Sequence, residues 1–142
     1  MKLSFGAVLV LGVAAAAACT NPTLTGDPQI KTLYVLLPGN DTVKVDTRSG
    51  DVTPGPITLF GNADFSGEFF TEDGVPDARV TELDYRLDVT SNNTGLVTFA
   101  RTTQFTGMLQ RVAQGNTTIR FTLVRLSDAQ IFFNLTVPIE VH

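Results

Sequence analysis

In the stretch Phe133-Asn134-Leu135-Thr136-Val137-Pro138-Ile139-Glu140-Val141, every second side chain is large and apolar and the residues between are polar or Pro. Alternation with a period of two places the apolar set on one face of an extended strand and leaves the other face to water. Pro138 has no N–H to give to a ladder, so it points to an edge or a bulge at that position. The same alternation recurs upstream. Ile119, Phe121 and Leu123 alternate with Arg120 and Thr122, and Leu83, Tyr85, Leu87 and Val89 alternate with Asp84, Arg86 and Asp88. Beyond Ala18 no segment holds an apolar stripe at helical spacing for three turns, and Thr, whose branching at Cβ suits a pleated strand, is abundant.

Breakers divide these runs at short intervals. Pro38-Gly39-Asn40-Asp41 follows Leu33–Leu37, the stretch Asp46 to Pro56 is rich in turn formers, and Glu72-Asp73-Gly74-Val75-Pro76-Asp77 follows Phe69-Phe70. Ser91-Asn92-Asn93-Thr94-Gly95 and Gln114-Gly115-Asn116 mark two further reversals. About seven or eight short antiparallel strands separated in this way predict an all-β sandwich or small barrel.

Two resemblances sharpen the expectation. Val89-Thr90-Ser91-Asn92-Asn93-Thr94-Gly95-Leu96-Val97-Thr98-Phe99, Phe105-Thr106-Gly107 and Ala113-Gln114-Gly115-Asn116-Thr117-Thr118-Ile119 resemble the mid-domain signature of bacterial immunoglobulin-like (Big) domains. The resemblance runs from about Phe69 to Val141, with Val89 where that family has a core Trp. It implies an immunoglobulin-like β-sandwich over residues 30–142. Gly95, Gly107 and Gly115 are expected at turns or bulges that a Cβ would strain.

The second resemblance lies at the other end. Lys2 precedes an uncharged run, Leu3 to Ala18, after which the chain turns polar at Thr20, Asn21, Pro22 and Thr23. A run this short, ending in small residues, fits a secretory signal better than a membrane span of about 20 residues. The lone Cys of the chain stands at this boundary, and Ala16-Ala17-Ala18-Cys19 is similar to the lipobox of bacterial lipoproteins. That implies a signal peptide over residues 1–18, cleavage before Cys19 and lipidation of Cys19. Ala-x-Ala also suits the general signal peptidase, which would cut the same bond without adding lipid. Thr20 in place of Asp after the Cys implies, by the same resemblance, delivery to the outer membrane of the cell envelope. Residues 19–29, dominated by Thr, Asn, Pro, Gly and Asp, are expected to form a flexible tether, whose nine residues Thr20 to Pro28 reach at most about 30 Å.

Composition limits function more than it assigns it. The precursor carries a net charge of −4 and its arginines are spread singly, which argues against nucleic acid as a partner. With one Cys at the anchor and one His at position 142, the body holds no Ser-His or Cys-His pair, no thiolate site and no multi-histidine metal site. The carboxylates Glu72, Asp73 and Asp77 share one loop but lack a regular calcium-binding spacing, so a solvated turn is expected there. Asp84 and Asp88 belong to the wet face of the strand that follows. No catalytic residue, metal or cofactor is expected. Ten Phe supply core volume, and in the adjacent pairs Phe69-Phe70 and Phe132-Phe133 one ring of each must face away from the core, under a cover or towards a partner. The sequence therefore predicts a non-enzymatic, membrane-anchored binding or structural module whose partner is a protein or other envelope component. A small carrier of apolar ligands or an inhibitor of an extracellular enzyme stands as the alternative.

Overall fold

A computed structural model of the chain describes residues 26–38 and 42–142, and among them there is no helix. Ten strands form in chain order: β1 (Thr32–Leu36), β2 (Val43–Asp46), β3 (Val52–Thr53), β4 (Ile57–Leu59), β5 (Ala63–Phe70), β6 (Tyr85–Ser91), β7 (Val97–Arg101), β8 (Thr106–Arg111), β9 (Gly115–Arg125) and β10 (Ile131–Val141). They make two sheets, one of six strands in the order β3-β2-β1-β5-β8-β7 and one of four in the order β4-β10-β9-β6.

The protein is an immunoglobulin-like β-sandwich. The runs β1-β5-β8-β7 and β6-β9-β10 are antiparallel throughout and follow the two-sheet plan of immunoglobulin constant domains. Strands β2, β3 and β4 are inserted between the first and second strands of that plan. The hairpin β2–β3 widens one sheet, and β4 crosses to the other, where Ile57 to Leu59 pair in parallel with Ile139 to Val141. The expectation of about seven or eight antiparallel strands is corrected to ten, with one parallel pair. The extra strands are two or three residues long and lie in or next to the Asp46–Pro56 stretch. So few residues show no alternation.

Alternation places the core as expected. Phe121, Leu87 and Val137 are fully or almost fully buried, and Leu135 is buried beside them. Arg120 and Thr136 stand outside, and Arg86 is half-exposed on the outer face. Across the interface Phe65 of one sheet stacks on Phe121 of the other, with ring centroids 5.7 Å apart, and Phe69 meets Phe133 at 6.3 Å. Both outward rings are covered. Phe70 stacks on Tyr34 at 4.1 Å, while Phe132 lies edge-on to Tyr85 at 5.4 Å with the Arg125 guanidinium over it.

Pro138 sits opposite Thr118 of β9 within the ladder. Because β4 pairs only with Ile139 to Val141, the far side of β10 is unpaired up to Pro138, and the missing N–H falls where no donor is needed. Leu83 departs from expectation. It is exposed, in a turn where Thr81 O accepts from the N–H groups of Asp84 and Tyr85 and the Thr81 hydroxyl bonds the Asp84 carboxylate, so β6 starts only at Tyr85. Of the three glycines singled out, Gly107 has the tightest surroundings: a Cβ there would lie 2.4 Å from both Ala100 O and the Phe99 ring. Gly115 opens β9 at a φ of +148°, which side chains with a Cβ rarely adopt.

Phe121→Ala removes the ring that Phe65 stacks on, deep in a packed interface. It is expected to lower stability by about 3–5 kcal/mol, measured by urea unfolding with the slope of the transition unchanged.

Candidate functional site

Residues 1–18 and Cys19, the expected signal peptide and lipidation site, lie outside the described residues, as does the tether up to Thr25. The last part of the expected tether is described, and it is joined to the body. Asp27 accepts a hydrogen bond from Arg125 Nη1 at 2.9 Å, Pro28 is buried, and the Gln29 N–H donates to Asp77 Oδ2 at 2.9 Å. Asp27 to Gln29 therefore lie against the body that was expected to begin at residue 30.

Asp77 is the centre of this junction. A solvated turn was expected for Glu72, Asp73 and Asp77, and the first two are exposed, but Asp77 is buried. Its Oδ1 accepts from Arg79 Nε at 2.8 Å and from the Arg79 backbone N–H at 3.1 Å, and its Oδ2 accepts from Arg79 Nη2 at 2.8 Å as well as from Gln29. Burial alone would push this carboxyl up. The Arg79 fork and the two backbone N–H groups outweigh burial and hold it below the usual carboxylate range. With both oxygens engaged by donors, the carboxylate acts as a clamp between the N-terminal segment and the Phe70–Val80 loop. The Asp-Ala-Arg spacing was legible in the sequence, whereas Gln29, distant along the chain, was not.

The other ionisable candidates are also committed to structure. Asp88 bonds Arg86 and Arg101 on the outer face, at 2.7 and 2.8 Å. Arg125 holds Asp128 at 2.7 Å, and its guanidinium, with the Gln130 N–H, draws the Asp128 carboxyl down to about 2. His142 is not frayed: its N–H donates to Leu59 O at 2.9 Å, its carbonyl accepts from Arg111 Nε at 2.6 Å, and its ring stacks on Phe60 at 5.1 Å. Glu140 lies 3.7 Å from its Nε2. Among the described residues no three His, Cys, Asp or Glu side chains gather as metal ligands would.

The concave feature of note is an open groove of about 580 Å³ where β1 leaves β5. Leu36, Pro38 and Phe65 give it apolar walls, with Asp64, Ser66 and Thr106 between them. It is a surface groove, and the rings that might have lined an internal cavity fill the space between the sheets instead.

No family model matches the chain, and no curated protein matches it. Among solved structures it is similar to the S-layer protein SbsC domains 4 and 5, at 19% identity and a TM-score of 0.40, over 75% of this chain and 64% of that one. The chain thus spans less than two thirds of that protein's resolved length.

The Asp77 clamp has a measurable pH signature. A carboxyl whose folded value is depressed contributes stability that is complete above its unfolded value, near 3.8 here, and is lost as pH falls through the folded value. Asp77→Asn, which leaves the partly exposed Arg79 without its counter-ion, is expected to cost about 2–3 kcal/mol at pH 7. The difference from wild type should shrink as pH falls below about 4, as followed by chemical unfolding across pH.

Proposed function

We propose that the chain is an exported lipoprotein of the bacterial envelope, fixed by lipid on Cys19, that presents one immunoglobulin-like domain of the Big type as a non-enzymatic binding or structural module. The observation that carries this reading is the position of its single Cys, at the junction between the uncharged Leu3–Ala18 run and the polar residues that follow. With a single Cys, a disulfide within the chain is impossible.

The non-enzymatic part of the reading is supported by how the polar groups are used. Asp77, Asp88 and Asp128 each hold an arginine, and the His142 ring stacks on Phe60 at a strand end. General acid–base work needs a group held near a reacting atom in a shielded cleft. The packing of the Phe rings between the sheets favours a module over a carrier of apolar ligands, which would use that volume for cargo. By resemblance to lipoproteins with Thr after the Cys, the outer membrane is the proposed destination, and a protein or another envelope component is the proposed partner.

Cys19→Ser tests the anchor without touching the described body. Each buried CH₂ of an acyl chain contributes about 0.8 kcal/mol, so two or more chains hold firmly. The variant is expected to fold as wild type does, to lose metabolic acyl labelling and to move from the membrane fraction to the soluble envelope fraction. A wild-type protein that is already soluble, with a Cys19 thiol that reacts with maleimide, would contradict the anchor.

A further inference from the structure

Exposed apolar side chains are unevenly placed on this molecule. Among the described residues Val75, Leu83, Leu126 and Ile131 are exposed at one end of the sandwich, while Phe60 and Val112 are exposed at the other. Leu83 is the extreme case, 89% exposed. The Leu126 N–H donates to Asp84 O at 2.8 Å, which joins the turn carrying Leu83 to the β9–β10 hairpin carrying Leu126 and Ile131. These loops form one apolar tip.

The chain enters the body at the same end. Asp27 is bonded to Arg125, the residue before Leu126, and Gln29 to Asp77 in the loop that carries Val75. From Cys19 to Gly26 the chain spans at most about 25 Å when fully stretched. If Cys19 is lipidated, this short lead holds the Leu83 end, and not the Phe60 end, beside the bilayer.

We propose that the Leu83–Leu126 tip is a membrane-contact surface that seats in the headgroup region of the bilayer into which the anchor inserts. This inference rests on the lipid-anchor reading and adds to it a defined orientation, with the Phe60–His142 end turned outward. The charge around the tip selects the lipid. Asp27, Glu72, Asp73, Glu82, Asp84 and Asp128 surround it; Arg125 answers Asp27 and Asp128 and Arg48 lies 3.9 Å from Glu72, which leaves Asp73, Glu82 and Asp84 in excess. An acidic rim is repelled by an anionic surface, so the surface it fits is zwitterionic. The apolar side chains supply the attraction and the anchor supplies the proximity.

The test uses the full lipidated chain, in which acylation consumes the native thiol so that Leu83→Cys or Val112→Cys introduces the sole reactive one. Both positions are exposed, so neither substitution disturbs the core. Each variant carries an environment-sensitive fluorophore and is reconstituted in phosphatidylcholine vesicles, and intact mass reports acylation. The expected result is a blue-shifted emission at position 83 with aqueous acrylamide quenching reduced about twofold or more relative to position 112. Adding phosphatidylglycerol should weaken that protection, and stronger protection would overturn the zwitterionic assignment. Acylated protein with both positions fully quenched, or both equally shielded, would overturn the tip while leaving the anchor intact. Protein without acyl mass would overturn the anchor, and the inference with it.

Discussion

The contact between Phe65 and Phe121, with Leu33, Val35, Leu87, Leu109, Leu123 and Val137 buried around it, is the interaction on which the rest of the structure depends. The chain has one Cys, so no covalent bridge ties the two sheets together, and burial of their inner faces must hold the sandwich. The sheets are also joined along one side. The turn after β7 crosses from one to the other, where Gln104 O accepts from the Leu87 N–H at 3.0 Å and Phe105 O from the Gly67 N–H at 2.9 Å. Arg101, the last residue of β7, reaches Leu87 O and the Asp88 carboxylate. At one end the crossing is made by Asp27 to Lys31, bonded in turn to Arg125, Asp77 and Phe70.

What was legible in the sequence follows from length and wetness. Strands β9 and β10 are long, and one face of each meets water, so alternation revealed both their existence and their register. Strands β3 and β4 were lost in a turn-rich stretch because two or three residues carry no period. The parallel direction of β4 has no signature in a single strand. Leu83 misled because alternation extends past the end of a strand whenever the adjoining turn happens to continue it. The bond between the Thr81 hydroxyl and Asp84, which favours a turn, was the competing signal.

The candidate site divides in the same way. The uncharged run and Cys19 form a local pattern that lies outside the described residues. The clamp on Asp77 was only half readable, because Arg79 is two residues away and Gln29 is 48. A carboxylate in a polar loop is ordinarily solvated, and its burial here depends on a partner delivered by the fold. The pinning of His142 likewise depends on Leu59 and Arg111, which the sheet brings to it. These long-range contacts give the two ends of the sandwich different characters, an acidic end with exposed leucines where Asp27 to Lys31 enter and a far end formed by Phe60, His142 and Val112.

The central claim is that one cooperative, disulfide-free sandwich extends to Asp27 and includes the segment leading into β1. Native-state hydrogen exchange on the protein tests this most directly, because amides that open together report one cooperative unit. The account predicts that the Gln29 amide, bonded to Asp77, is protected and that its protection falls in Asp77→Asn. The β9, β10 and β5 core amides should exchange together as the slowest set. A Gln29 amide exchanging at the rate of an unstructured peptide, with the two sheets opening independently, would contradict it.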